Sequence, residues 1–464
     1  MTRAGISSLS VLLASVMTIV HLLGFAQATT ILSGLFLAVF FVLEWRQMIR
    51  VSQGLLLVTL GLFCALWLMG RTTPDLLFEA IDRGAFFVCF VVVLSFLGDA
   101  ARTSEMVQTS GRIIVNQSPG RRYITLTLGG HLMGALMNLG TISLLSTMIH
   151  GSAMDGPNAS DQRVRDIRLK RMTLAMLRGF SAVTFWAPTS VTIAIIMSSS
   201  LELRWIELLP LGVPALVCYL TLGWALDRLT FPRPKRSGAA APPSEPWMRP
   251  FGGLLGVVLL VPLSAAALSY LLDLTLIGGL FLCIPVIGLG WVAVQNLHAG
   301  PRGAITIALL RAKTQTVPAL RDMRNELAIF GASGFLAVIL LPQIDVVWLG
   351  EHIARLGLGA GGVLIAGSWA IIILALLAVN PLVSAILVIE TLARLPGMDI
   401  APTVIALMVM TTWAVVISFS PFATPVRLSG RSINHTASDI GLKWNIGFAL
   451  CAVGLLDIAL LVLA

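Results

Sequence analysis

This sequence has little charge: 11% of its 464 residues are charged, against 57% that are hydrophobic. That balance excludes a soluble domain of ordinary make-up. Acid is scarcer than base, with 22 Asp and Glu against 31 Lys and Arg, for a formal net charge of +9. The basic residues fall in short loops between apolar runs and form no contiguous patch, so the excess reads as membrane topology and not as nucleic-acid binding. Cysteine is sparse. Cys64, Cys89, Cys218, Cys283 and Cys451 sit inside apolar stretches without metal-ligand spacing, which leaves them as packing residues. The six histidines are scattered, no His-Glu-x-x-His occurs, and no glycine motif cradles a phosphate. These absences argue against a membrane-embedded enzyme and against ATP-driven transport within this chain. No cofactor is called for beyond a possible Na+ as coupling ion.

What is present is hydropathy, with a mean of +0.92. Stretches long enough to cross a bilayer lie near 6–26, 28–44, 54–70, 84–100, 172–199, 205–227, 251–272, 275–297, 324–342, 403–426 and 444–463. Ala26-Gln27-Ala28 resembles a cleavage site, but the length of the first stretch and the immediate second one predict a retained helix. The fold class is an all-α polytopic membrane protein of about eleven transmembrane helices plus two re-entrant hairpins in inverted repeats.

The hairpins come from charge. The apolar segment from Tyr123 to His150 has Arg102, Arg112, Arg121 and Arg122 before it and Arg163, Arg165, Arg168, Lys170 and Arg171 after it. Both flanks therefore belong on the cytoplasmic side, and the segment enters, turns at Asn138-Leu139-Gly140-Thr141 and returns. With the N-terminus cytoplasmic, the inside loops collect most of the base. Outside are only Arg71, Arg83, Arg204, Arg355 and Arg394. Keeping that bias requires a second hairpin, over 362–394, entering from outside and turning at Asn380-Pro381. The C-terminus is then periplasmic, in the inner membrane of a cell whose loops are this compact.

Each hairpin is followed by a loop and a helix interrupted by proline and hydroxyl residues: Thr184-Phe185-Trp186-Ala187-Pro188-Thr189-Ser190, and Ser418-Phe419-Ser420-Pro421-Phe422-Ala423-Thr424-Pro425. The expected organisation is N-terminal scaffold helices over 1–83, then a first repeat over 84–230 with its hairpin at about 124–150 and broken helix at 172–199. A cytoplasmic linker follows at 231–250, and 251–464 holds scaffold helices and the second repeat, with its hairpin at about 362–394 and broken helix at 403–426. Inverted repeats with discontinuous helices describe many secondary transporters. Interrupted helices leave carbonyls and amides to coordinate a cation or hold an anion. On that ground Asn138, Thr141, Thr189, Asn380, Ser384, Thr424 and Arg427 are candidates for substrate binding, and Asn138, Gly140, Pro188, Asn380, Ser420 and Ala423 for ion binding.

The run Ser420-Pro421-Phe422-Ala423-Thr424-Pro425-Val426-Arg427, with Gly430 and Gly441-Leu442-Lys443-Trp444-Asn445, resembles the ion transporter superfamily, and nearest it the divalent anion/sodium symporters. That family carries Pro-Phe-Ala-Thr-Pro-Pro-Asn there and Ser-Asn-Thr at each hairpin tip. The likeness covers about 84 to 464. It implies an elevator-type mechanism, a homodimer, and eleven spans with the C-terminus outside. The chain departs from the family where Met137 and Leu139 flank Asn138, where Val379 and Pro381 flank Asn380, and where Val426-Arg427 replaces Pro-Asn.

Arg178 lies inside the fifth span and Arg427 beside the second break. A buried arginine is costly, roughly 3 kcal/mol at a helix centre on insertion scales, and is usually paired or functional. A guanidinium fork at Arg427 suits a carboxylate or another oxyanion; for Arg178, snorkelling to the cytoplasmic interface is an equal alternative. Neither tip nor break holds Asp or Glu. Asp99 and Glu390 sit near segment ends, where salt bridging is the usual explanation, Asp457 lies inside the last span, and His131 on a hairpin arm reads as a packing residue. The expected partners are a small anionic solute, membrane lipid and a second copy of the chain, with coupling to Na+ or H+. The alternative is a cation/proton antiporter or oxyanion efflux transporter of the same superfamily, and a channel stays open because hairpins also build selectivity filters.

Overall fold

A computed structural model describes residues 3–25, 27–155, 161–231 and 248–464. Positions 232–247 of the expected linker, and Ala26, lie outside the described residues. All regular structure among the described residues is helical. Among the described residues ten helices are long and apolar enough to cross a membrane, or eleven if the pair Val346–Arg355 and Ala360–Leu376, bent by 118°, counts as one span. The chain is thus an all-helical multi-pass membrane protein, because a lipid-facing backbone must satisfy its own polar groups.

The helices gather into two compact units, each built from segments of both halves of the sequence. One comprises Met1–Ala100, Val261–Leu349 and Leu382–Arg394. Here Arg3–Leu22 lies along Ala28–Glu44, and Arg50–Leu68 along Arg324–Leu340. Val11, Ala14, Leu37, Phe40, Val88 and Leu327 form a buried apolar cluster, and the Thr18 and Ser33 hydroxyls meet across the first helix pair at 3.0 Å. Such interhelical bonds are worth about 0.6 kcal/mol each. Leu297–Gln343, where a span is expected only from 324, is a nearly continuous run of helical segments with a π-helical stretch at Ala312–Thr316. Arg311 and Thr316 bracket that stretch, and both donate to the Asp99 carboxylate, at 2.9 and 3.0 Å. Asp99 and Glu390, the latter paired with Arg394 at 3.3 Å, are thus salt-bridged acids.

The other unit comprises Ala101–Leu260, Gly350–Pro381 and Leu395–Ala464, and it holds most of the candidate residues. Its principal helices are α1 (Pro119–Met137), α2 (Leu139–Asp155), α3 (Gln162–Ser181), α4 (Val191–Met197), α5 (Trp205–Thr230), α6 (Ala360–Leu376), α7 (Pro402–Phe419), α8 (Thr424–Ile433) and α9 (Asn445–Leu463). α1 opens with proline in its first turn, where the missing N–H costs nothing. The Asp161 carboxylate starts α3 by accepting the Arg163 and Val164 amides at 2.9 and 3.3 Å. α1 packs closely along α3, α2 along α8, and α7 against α5, α6 and α9.

Candidate functional site

Two turns and two helix interruptions lie among the candidate residues. α1 ends at Met137 and α2 begins at Leu139, with Asn138 between them at φ +49° and ψ −129°. Between α6 and the next helix, Pro381–Ala393, the turn holds Ala378 at φ +66°. A left-handed conformation is unfavourable for any residue with a Cβ, by roughly 1–2 kcal/mol. Each turn therefore contains one strained residue, and neither is a glycine.

The first interruption follows α3. A 3₁₀ turn at Ala182–Phe185 leads to Trp186 at φ −154°, then Ala187, Pro188 and Thr189, before Ser190 caps α4 by accepting the Ile193 amide at 3.3 Å. The second separates α7 from α8 at Ser420–Ala423, and the Ser420 hydroxyl accepts the Phe422 amide at 3.3 Å. Each is tied by a hydroxyl to the helix that precedes a turn. Thr189 donates its hydroxyl to the Ala135 carbonyl of α1 at 2.8 Å, and Ser420 donates to the Ala375 carbonyl of α6 at 2.9 Å. The acceptors stand three residues before Asn138 and five before Asn380. Glycine seats the last carbonyl of each preceding helical stretch, since a methyl group at Gly212 would overlap the Phe185 oxygen and one at Gly441 the Phe419 oxygen.

A buried polar network joins the two interrupted helices. Arg178 is only 5% exposed. Its Nε and Nη2 donate to the Asn445 side-chain oxygen at 3.1 and 3.0 Å, and its Nη1 to the Tyr123 hydroxyl at 3.1 Å and the Gly223 carbonyl at 3.2 Å. The Phe448 ring lies 4.3 Å below the guanidinium. Snorkelling is thus corrected: the side chain turns inward, onto neutral dipoles and an aromatic face. Asn445 passes the link on, donating to the Ser418 carbonyl at 2.9 Å, just before the second break. Tyr219 adds a second bridge, 2.8 Å from the Ser181 hydroxyl and 3.2 Å from that of Ser418. The Thr184 hydroxyl donates to the Met410 carbonyl at 3.1 Å.

His131 is held at both ring nitrogens. Nε2 accepts from the Trp186 indole at 2.9 Å, which leaves Nδ1 to donate to the Gly179 carbonyl at 3.3 Å and fixes a neutral tautomer. The Trp186 carbonyl accepts the Trp205 indole at 2.6 Å, so one interrupted residue ties α1 to α5. This is a fastening role. Asp457 accepts from the Trp369 indole at 3.2 Å, while its other oxygen is buried without a partner.

α8 carries the remaining chemistry. Arg427, Gly430 and Arg431, with Asn434, His435, Thr436 and Ala437 beyond its end, line a cavity of about 390 Å³. Asn434 closes the helix in the left-handed conformation at φ +58°. Asp439, the nearest acid along the chain, is engaged by Lys443 and by the Thr436 hydroxyl, each at 2.6 Å. Among the described residues neither Arg427 nor Arg431 has an ion-pair partner. The cavity therefore presents two guanidinium groups and an imidazole with little opposing charge, a set suited to an oxyanion.

Of the sequence candidates, Asn138, Gly140, Thr141, Pro188, Thr189, Asn380, Ser420, Ala423, Thr424 and Arg427 belong to one unit, and Ser384 to the other. Thr189 and Ser420 are engaged with hairpin carbonyls, and the Thr141 hydroxyl is buried with no partner. Among the described residues no cluster of His, Cys, Asp and Glu that could hold a metal occurs.

No protein-family profile matches the sequence, and no curated protein resembles it in sequence. The fold is similar to that of MtrF from Neisseria gonorrhoeae, described among a class of antimetabolite efflux pumps, with a TM-score of 0.51 at 14% identity over 81% of each chain. The YdaH transporter of Alcanivorax borkumensis aligns with a TM-score of 0.43 at 12% identity, over 80% of this chain and 84% of that one.

Proposed function

We propose that this protein is a secondary active transporter that exports a small anion, a carboxylate or another oxyanion, by alternating access driven by a proton or sodium gradient. The observation that carries the reading is the cavity of Arg427 and Arg431 on α8, a helix that begins at the second interruption and packs along the return arm of the first hairpin. A cytoplasmic N-terminus, as the distribution of basic residues suggests, would turn that cavity toward the cytoplasm, the side from which an exporter loads, and this supports the reading. Hydroxyl links from both interruptions to the hairpin arms support a site whose backbone is held irregular on purpose. The fold of MtrF, a protein described as an efflux pump, favours export over the uptake that the symporter resemblance implies.

The test is binding followed by flux. The purified protein is heated with benzoate, succinate, benzenesulfonate, phosphate and arsenate, each with and without sodium, since a ligand of the folded state raises the apparent melting temperature. A shift with one anion that Arg427→Ala weakens tenfold or more is the expected result. Everted vesicles should then accumulate that anion when energised. Unchanged affinity and flux in Arg427→Ala would overturn the assignment of the cavity. Accumulation only in right-side-out vesicles would reverse the direction.

A further inference from the structure

Where α1 and α5 run side by side, an apolar groove of about 160 Å³ opens between them, lined by Tyr123, Ile124, Thr127, Leu128, Leu220, Thr221 and Trp224. Its walls stay open to the surroundings, with Ile124 44% and Trp224 40% exposed. At the end where α1 begins and α5 finishes, the chemistry changes abruptly. Arg228 stands one turn beyond Trp224 on the same helix face, its guanidinium 5.7 Å from the Trp224 ring and its Nη2 donating to the Gly120 carbonyl at 3.0 Å. Its Nε is buried without a partner. Arg121 is exposed and precedes Ile124 by three residues on α1, the spacing that puts two residues on one face of a helix.

Behind this mouth the base accumulates further. Lys170 and Arg171 lie over the Phe231 ring at 5.8 and 5.2 Å, and Arg168 binds the Ser152 hydroxyl at 2.7 Å. Asp227 opposes them, but Arg171 holds both its oxygens, at 3.0 and 2.7 Å. Positive-inside topology accounts for basic residues on this face. It does not account for one arginine pinned over a tryptophan at the open end of a chain-wide apolar furrow.

We infer that this groove binds an anionic phospholipid, with one acyl chain between α1 and α5 and its phosphate between Arg121 and Arg228. The Trp224 ring sits at the boundary, apolar toward the chain and polar toward the headgroup. A free phosphate would use the arginines and leave the groove idle, and a neutral lipid would use the groove and leave the arginines unmatched. The inference stands independently of the transported solute.

Thermal unfolding of the purified, delipidated protein with added phosphatidylglycerol, phosphatidylcholine or inorganic phosphate separates these cases, with native mass spectrometry counting retained lipids. The expected result is a rise in melting temperature of several degrees with phosphatidylglycerol alone. The double variant Arg121→Gln/Arg228→Gln should need at least tenfold more of that lipid for the same rise, while Arg302→Gln, elsewhere in the chain, should behave as wild type. An equal rise with phosphatidylcholine, or with phosphate alone, or a double variant that responds like wild type, would overturn the site. If the double variant does not fold, Thr221→Trp, which fills the groove from an exposed position, decides: a lost lipid response supports the site and an undiminished one overturns it.

Discussion

At the scale of single residues, the least expected feature is a buried guanidinium with no carboxylate among its partners. Arg178 has four hydrogen bonds to neutral groups and an aromatic face beneath it. Removing it leaves the Asn445 oxygen and the Tyr123 hydroxyl buried and short of a donor, at about 1–3 kcal/mol for each orphaned group. Arg178→Ala should therefore lower the melting temperature sharply. Arg178→Lys should fail to restore it, because a lysine cannot reproduce the forked contact with Asn445. A lysine variant as stable as wild type would mean that only the charge matters. The turns make the opposite prediction. Ala378 is at φ +66°, so Ala378→Gly should stabilise the fold by roughly 1 kcal/mol in reversible unfolding. If that strain is part of the working cycle, the same variant should transport more slowly. Sequence could mark Arg178 as anomalous, but not name its partner: Asn445 is 267 positions away. Tyr219 and His131 were equally opaque, since a lone tyrosine or histidine on an apolar helix carries no periodic signal of what it faces.

At the scale of elements, the interruptions were legible and their fastening was not. Proline without an amide and serine or threonine beside it announce a break from local chemistry alone, and Trp186 and Ser420–Ala423 lie where Pro188 and Pro421 put them. Asn138 likewise marks its turn, because asparagine tolerates positive φ better than most. The extents differ, however. α3 starts at Gln162 although its first residues are charged, since Asp161 caps it and tertiary packing on α1 outweighs hydropathy. Each break is anchored by a hydroxyl to a carbonyl of α1 or α6 and is closely approached by a glycine, and these two restraints should behave differently. Thr189→Ala loses one buried hydrogen bond, about 1 kcal/mol, and Ser420→Ala loses its donation to Ala375 together with its acceptance from the Phe422 amide, about 1 kcal/mol for each. Both should insert and fold, with transport reduced more than stability if the hairpins must move together with the breaks. Gly212→Ala and Gly441→Ala instead force backbone apart at the break and should abolish transport and lower the melting temperature together. Fully active alanine variants at either glycine would show that the packing around the breaks yields easily.

At the scale of the whole molecule, the topology hangs on what the chain does between Arg122 and Arg163. α1 has 19 residues and α2 has 17, so at 1.5 Å per residue they extend about 28 and 25 Å, close to the roughly 30 Å of hydrocarbon. Length alone therefore allows two full crossings as well as a re-entrant loop, and both return the chain to its starting face. Charge agrees with that return, since base flanks the segment on both sides. The two forms part company at the tip. Cysteines placed singly at Arg112, Arg165 and Arg204 should label with an impermeant maleimide from one face for the first two and from the opposite face for the third. The exposed native thiols Cys64, Cys218 and Cys451 must first be replaced, whereas Cys89 and Cys283 are buried. Labels on opposite faces at 112 and 165 would break the expected topology and, with it, the proposed cytoplasmic placement of the Arg427 cavity. A cysteine at Asn138 then reads depth. In a re-entrant loop it should resist a bulky reagent from the face that labels Arg204 and be shielded further by the transported anion, whereas free labelling from that face would make α1 and α2 complete spans.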